Sequence, residues 1–435
     1  MIQLFGHRFS EEQMDVLKWI YRYRGITTRQ LLAAKYPHQF PPSLESISAV
    51  SERSSIRKLV GKLIEKGLVS ERSLPGQKDK LAFLTEDGLE LVSTALEIPV
   101  GKVGTGYNGD YGDFRYELHS PPTTKVAHHL GLVNFFLMLE YVKSRHPELD
   151  IDYRDNRYVS EKYALAGDEE ESKRSSRKFM PDGEILLNGK TYFVEIDMRT
   201  ERARELSEKF NKYAEFFDYL TENGRPLPEG VLFISAAVER TGQFRRRWDK
   251  VVASYIREMG KWATRVNLIG GTIGDVAEII NFEVRDQKAD VEELKKVLTY
   301  YIKGKGYKGT VFGEVNIPNL FSTNLSITQL GDKHQVFLYE PAPRYETKGI
   351  ARVRAFQEWM SKANLPEFRQ VEEVIPVFYH RNGEPVHLNF GEFEQRAEWE
   401  ELFNRTFWLN VEGPHWADVE GKRINHSNPL ISRVS

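Results

Sequence analysis

Residues 180–198 constrain this chain more than any other stretch. They read Met180-Pro181-Asp182-Gly183, then Asn188-Gly189, then Val194-Glu195-Ile196-Asp197-Met198. Asn-Gly between two strand-like runs predicts a two-residue hairpin, because both turn positions require positive φ. With Asn188 and Gly189 as the loop, Leu187 pairs with Lys190, and counting down the ladder sets Asp182 across from Glu195. Opposite residues share a face, with Cβ atoms roughly 4.5–5.5 Å apart. Asp197, two residues beyond Glu195, points the same way. The other face (Ile185, Leu187, Tyr192, Val194, Ile196 and Met198) is a core. Asp182, Glu195 and Asp197 thus stand at a spacing suited to a hard cation, since carboxylates that close repel unless a proton or cation separates them. Glu184 on the same face keeps a plainer reading open, that of a solvated acidic strand.

The flanking pattern adds weight. Thr200 is placed to cap a helix from Glu201 to about Tyr219, with an apolar stripe of Leu206, Phe210, Tyr213, Phe217 and Leu220 and with Lys209 on its border. Gly230 to Ser235 reads as a buried parallel strand, and 239–259 as another helix. Upstream, 125–145 is helical and 151–159 is strand-like. Helix, strand, hairpin, helix, strand, helix, with a Pro-Asp on one strand and an acidic pair on the next, resembles the PD-(D/E)xK, or restriction-endonuclease-like, core. That resemblance implies Asp182 and Glu195 as ligands of Mg²⁺ or Mn²⁺. The family's lysine, two residues after the Glu, is replaced by Asp197, followed by Met198 and Arg199. Some members carry the basic group on the next helix, which makes Lys209 the candidate, ahead of Arg199 and Lys212.

Composition narrows the class. A chain of 435 residues predicts two to four domains. Hydrophobic residues at 40% and charged residues at 29% are ordinary for a soluble protein. With no cysteine, disulfides, thiolate zinc sites and a cysteine nucleophile are excluded. No apolar run approaches the ~18 residues of a membrane span, and the polar N-terminus predicts a cytoplasmic address. Asn324-Leu325-Ser326 then carries no glycosylation meaning. The formal net charge of −2 does not advertise nucleic acid, so local charge decides.

The first ninety-odd residues read consistently. Ser10 with Gln13, and Thr27 with Gln30, are capping boxes opening two helices. After a loop from Pro37 to Pro42, a third helix from about Glu52 to Lys66 buries Ile56, Leu59, Val60 and Leu63. It turns Arg53, Arg57, Lys58 and Lys62 outward. Leu68–Leu74 and Lys80–Leu84 alternate around a Pro75-Gly76-Gln77 tip that carries Lys78 and Lys80, and Thr85 opens a fourth helix. Three helices and a basic hairpin predict a winged helix-turn-helix over 1–97, a form suited to double-stranded DNA. From Ser51 to Lys80 there are eight Lys or Arg against four Asp or Glu, so binding should be moderate and salt-sensitive. A winged helix used only for protein contacts, or a merely solvated basic face, stays open.

Taken in order, several short motifs resemble the replication-relaxation family of plasmid and mobile-element proteins. They are Thr28-Arg29-Gln30-Leu31, Ile56 to Val69, Leu84-Thr85 with Gly88, and His129-Leu130 with Asn134. Pro181-Asp182 follows, then Glu195-Ile196-Asp197 with Thr200, Lys209 and Tyr213. The resemblance covers about residues 10 to 235. In that family Glu-x-Asp replaces Glu-x-Lys, so Asp197 conforms and Lys209 falls where a helical lysine is expected. It implies DNA binding and a role in replication, DNA relaxation or transfer.

Other signals weigh less. Gly104-Thr105-Gly106-Tyr107-Asn108-Gly109 fits GxGxxG, but no strand precedes it and no helix follows, so 98–124 reads as a linker. His129 lies on an apolar stripe with Val133, Phe136 and Glu140, a core position ahead of a ligand. Glu140 is an additional site acid or an ordinary boundary residue. Gly167 to Lys178 predicts a mobile loop at the rim of the acidic site. Arg245-Arg246-Arg247 beside Phe244 and Trp248 is the densest basic spot, able to track phosphates with an aromatic stacked on a base, or to pack Trp248 inward.

Residues 125–284 therefore form the expected nuclease-like domain, and 285–435 a third, α+β domain. Its expected elements are a helix through Val291, Leu294, Leu298 and Tyr301, a strand at 335–339 and a helix at 350–363. A hairpin around Arg381-Asn382-Gly383 and a helix from Glu392 to Phe407 complete it. A partner-binding or oligomerising module is its default role. Two functions compete, a Mg²⁺-dependent DNA nuclease or nickase and a non-catalytic DNA-binding accessory or regulator with a degenerate core.

Overall fold

The computed structural model describes residues 2–39, 50–76, 78–163, 177–236, 243–284, 291–296, 311–317, 321–330, 333–341, 346–362, 371–380, 390–403, 406–410, 415–417 and 423–424. It is an α+β protein with several sheets, as the sequence predicts. Its first elements are β1 (Ile2–Leu4), β2 (His7–Phe9), α1 (Glu11–Tyr23), β3 (Ile26–Thr27), α2 (Thr28–Lys35) and α3 (Val50–Glu65). Next come β4 (Val69–Ser73), β5 (Lys80–Leu84), α4 (Glu86–Ala95), α5 (Tyr116–His119) and α6 (Val126–Arg145). The centre holds β6 (Ile151–Asp155), α7 (Asn156–Val159), β7 (Glu161–Tyr163), β8 (Arg177–Phe179), β9 (Gly183–Leu187) and β10 (Lys190–Asp197). Then follow α8 (Ala203–Glu222), β11 (Gly230–Ser235), α9 (Gln243–Met259), β12 (Asn267–Thr272) and α10 (Val276–Glu283). The remainder comprises β13 (Val311–Ile317), β14 (Phe321–Leu330), β15 (Lys333–Pro341), α11 (Lys348–Lys362), β16 (Val371–His380), α12 (Arg396–Phe403), β17 (Phe407–Asn410), β18 (His415–Ala417) and β19 (Arg423–Ile424).

The chain divides into two compact units. The first holds residues 1–200, 232–238 and 271–280. Both predicted capping boxes form, Ser10 with Gln13 and Thr27 with Gln30, and Thr85 caps α4 through the Gly88 amide. Strands β4 and β5 pair around the predicted tip. The two-residue β3, too short to leave a pattern, joins β5 to give the order β3-β5-β4.

The hairpin of β9 and β10 keeps the counted register from Lys190–Leu187 to Val194–Gly183. Asn188 (φ 47°) and Gly189 (φ 78°) occupy the left-handed turn positions. Strand β6 pairs antiparallel on the far side of β9, and the sheet runs β12-β11-β10-β9-β6. The apolar face is buried as read: Ile185, Leu187, Tyr192, Val194 and Ile196. Helix α6 packs on it because Gly131 has no side chain. A Cβ there would lie 2.7 Å from Ala236 Cβ and 3.1 Å from Ile196 Cγ2.

Residues 98–124 are a bound strap, not a free linker. Tyr21 Oη donates to the Gly112 carbonyl, Arg154 to the Thr105 carbonyl, and Arg24 to the carbonyls of His119 and Ser120. The GxGxxG run closes on itself through Asp110, which accepts from Thr105, so it cradles no phosphate. Of the expected 167–178 loop, residues up to Ser176 lie outside the described residues, whereas Arg177 and Lys178 belong to β8, paired with β7.

The second unit holds residues 201–231, 239–270 and 281–435. Thr200 is not the cap of α8; the helix starts at Ala203 with Arg202 in that position. Its predicted stripe is buried, and Phe210 meets Tyr255 of α9 edge-on at 5.2 Å. The C-terminal sheet runs β13-β14-β15-β16-β17-β18-β19. Strands β15, β16 and β17 are mutually parallel, with α11 and α12 in the connections. The hairpin partner expected for β16 at 381–389 lies outside the described residues. Phe407 starts a strand instead of ending a helix. Ser326, of the Asn-x-Ser triplet, is buried on β14. Among the described residues no helix is long and apolar enough to cross a membrane.

Replacing glycine by alanine inside a free helix face stabilises it by up to about 1 kcal/mol. Gly131→Ala should do the opposite, costing about 1–3 kcal/mol through overpacking, as read from the urea midpoint.

Candidate functional site

The acidic site expected on β9 and β10 is arranged differently from the count. The ladder stops one pair short, and Asp182 donates its amide to the Val194 carbonyl instead of pairing with Glu195. Its Oδ2 accepts from the Ile196 amide at 2.8 Å and from His128 Nε2 at 3.0 Å. Asp182 is therefore tied to β10 between the two acids through backbone, and to α6 through an imidazole. Glu195 and Asp197 are 4% and 2% exposed, and Asp197 Oδ1 accepts from the Arg199 amide. Arg199 has φ 60°, which turns the chain so that its guanidinium reaches Ser235 Oγ. Among the described residues no three His, Asp or Glu side chains are grouped so as to hold one metal ion. The three-acid cluster of Asp182, Glu195 and Asp197 is thus not assembled.

The acidic face is also not solvated. Glu184 is buried, held by Arg154 across the ladder and by the Tyr107 hydroxyl from the strap. Glu140 is a boundary residue, accepting from Tyr153 Oη and paired with Arg22 of α1 at 3.1 Å. In the second unit, Lys209 Nζ lies 2.8 Å from Glu201 Oε1, and Arg247 also holds Glu201. Trp248 is buried against Gly270, so it stacks on no base. The backbone of Arg245 and Arg246 is helical, and their side chains lie outside the description.

The basic residues are better resolved. Arg53 and Arg57 of α3 and Arg29 of α2 converge on Asp79, in the hairpin loop, at 3.3, 3.4 and 3.4 Å. Lys58, Lys62 and Lys78 are exposed, and Lys80 makes an exposed pair with Glu71 at 2.9 Å. Such pairs contribute little, which leaves Lys80 available. Sequence reasoning missed Arg29, Asp79 and the His128–Asp182 bond. Each is a contact between segments far apart in the chain, for which no local pattern exists.

Residues 17–226 match the replication-relaxation family model, so this stretch of the chain is similar to that family. The family suggests a role in replication or relaxation of plasmid or mobile-element DNA. No curated protein matches the sequence. A solved structure, the crystal structure of protein VC1899 from Vibrio cholerae, is similar at 11% identity over 63% of this chain and 56% of its own, with a TM-score of 0.22. The chain thus spans little more than half of that protein, and a superposition so loose carries no functional meaning.

Much of the family motif is packing. Gln30 of α2 donates to the Leu130 carbonyl and to Asn134 Oδ1 of α6. His129 Nε2 donates to the Gly25 carbonyl at 2.9 Å, the core role read from its stripe. Burial lowers the His129 pKa to about 4. His119, which donates to the Tyr21 carbonyl, is likewise held far below its usual value by burial and then by Arg157.

Both rings are neutral in the folded chain and gain a proton on unfolding below the ordinary value of 6.5. The unfolded state then binds more protons, so stability is complete above pH 6.5 and declines as pH falls toward 4. For His129 the full loss is about 3 kcal/mol. Urea titrations from pH 7 to 5 should show a falling midpoint, and His129→Gln should flatten part of that slope.

Proposed function

We propose that the chain binds double-stranded DNA through residues 1–97, used as a winged helix, in replication, relaxation or transfer of a plasmid or mobile element. The observation that carries this reading is the exposed basic face of α3 beside the hairpin. Lys58 and Lys62 have no ionic partner among the described residues, and Lys78 and Lys80 extend the charge along the hairpin. A helix of this width enters the major groove while an adjoining hairpin reaches phosphates. Arg245 and Arg246 on α9 are proposed as a further phosphate track.

The central region is read as a restriction-endonuclease-like scaffold without metal-dependent cleavage. Mg²⁺ or Mn²⁺ prefers several oxygen donors at once. Here one Asp182 oxygen already serves an amide and an imidazole, and Lys209, the proposed water activator, is engaged by Glu201. The residues do not fit the ion. The C-terminal sheet is proposed as a partner-binding or self-associating module; a sedimentation coefficient of a monomer at micromolar concentration would remove the second option.

Two measurements check these readings. Lys58→Ala with Lys62→Ala should weaken binding to duplex DNA about tenfold or more at low salt and flatten its salt dependence; unchanged affinity would give α3 another purpose. Supercoiled plasmid incubated with the protein and Mg²⁺ or Mn²⁺ should stay intact. Nicking that disappears in Asp182→Ala would make the core an enzyme.

A further inference from the structure

We propose that Arg29, Arg53 and Arg57 together receive one backbone phosphate of duplex DNA, with Asp79 behind them as counter-charge. The proposal rests on the DNA-binding reading above and adds Arg29, on a different helix from the basic face of α3. Three guanidinium groups meet a single carboxylate, which leaves two positive charges uncompensated among the described residues. Their distances to Asp79, 3.3 to 3.4 Å, are all longer than the roughly 2.7–2.9 Å of a tight charge-assisted bond. One carboxylate has two oxygens, whereas each guanidinium offers five N–H donors. Donor capacity is therefore left over.

The layering sets where that capacity faces. The Asp79 side chain is 8% exposed, but those of Arg29 and Arg57 are 48% and 56% exposed. The anion lies inside, the Arg53 side chain is 23% exposed, and Arg29 and Arg57 stand outermost, so a second anion can approach only from the solvent side. Arg29 also stands in the first turn of α2, which carries no acidic residue. A helix N-terminus disfavours a cation and favours an anion. A phosphodiester on the outer edges would answer both the surplus charge and the helix end, and the planar fork of arginine suits it. The competing explanation is purely mechanical, that Asp79 ties the hairpin to α2 and α3.

The two explanations differ in sign. Binding of the full chain to a fluorescein-labelled duplex of about 20 bp is followed by anisotropy across a salt series. Arg29→Gln should weaken binding several-fold and reduce the slope of log affinity against log salt by part of the roughly 0.9 that one phosphate contact carries. Asp79→Asn, which removes the inner anion but keeps its shape, should tighten binding several-fold at low salt. Weaker binding by Asp79→Asn, with unaltered thermal unfolding, would make the residue a tie and overturn the proposal. So would an Arg29→Gln slope equal to wild type while Lys58→Ala with Lys62→Ala flattens it, a result that spares the DNA-binding reading. A wild-type chain that does not bind duplex removes both.

Discussion

The arrangement of the first unit depends on a short polar chain joining α1 to α6 and β6. The Tyr153 hydroxyl donates to Glu140, which as a carboxylate only accepts. The Tyr153 oxygen must then be the acceptor of the 2.8 Å contact with Tyr23, whose hydroxyl is the donor. Burial raises both phenols above their usual range, so each keeps the proton that this direction requires. Arg22 closes the set, pairing with Glu140 while its guanidinium lies 4.3 Å over the Tyr153 ring. Detaching α1 would take Arg22 from the part-buried Glu140 carboxylate and Tyr23 from the Tyr153 oxygen, a loss of a few kcal/mol. Gln30 and His129 add neutral bonds across the same boundary. The basic helices and the acidic hairpin are for that reason parts of one unit, although the sequence separates them by a strap.

What could be read from the sequence divides along the range of the forces involved. The caps at Ser10, Thr27 and Thr85, the Asn188-Gly189 turn and the α8 stripe are written within a few residues of each other. Each appears where the pattern puts it. The cap at Thr200 failed for a local reason too: the turn at Arg199, with its positive φ and its bond to Ser235, delays the helix to Ala203. The site is harder, because it is made of distant contacts. Counting along β9 and β10 is right for five pairs and wrong at the sixth, where the Ile196 amide and His128 compete for the Asp182 carboxylate. A ladder rule takes no account of an outside donor. The same blindness hid Asp79, an acid in a basic stretch that looks like dilution of charge and is instead its point of attachment.

Taken as a total, a net charge of −2 argues against a polyanionic partner. Charge acts over about a Debye length, roughly 8 Å at physiological salt, so only local sums count. Near α3 the arginine trio exceeds its single carboxylate, and Lys58 and Lys62 lie on the same helix. Several acids elsewhere are matched internally. Glu184 and Glu140 are each paired with an arginine of the first unit, and Glu201 with Lys209 and Arg247 in the second. A carboxylate already matched by an internal cation repels DNA weakly. The surplus at α2 and α3 faces water, where the proposed duplex would meet it. Segregation of charge, rather than its total, is the electrostatic property on which the proposed DNA binding rests.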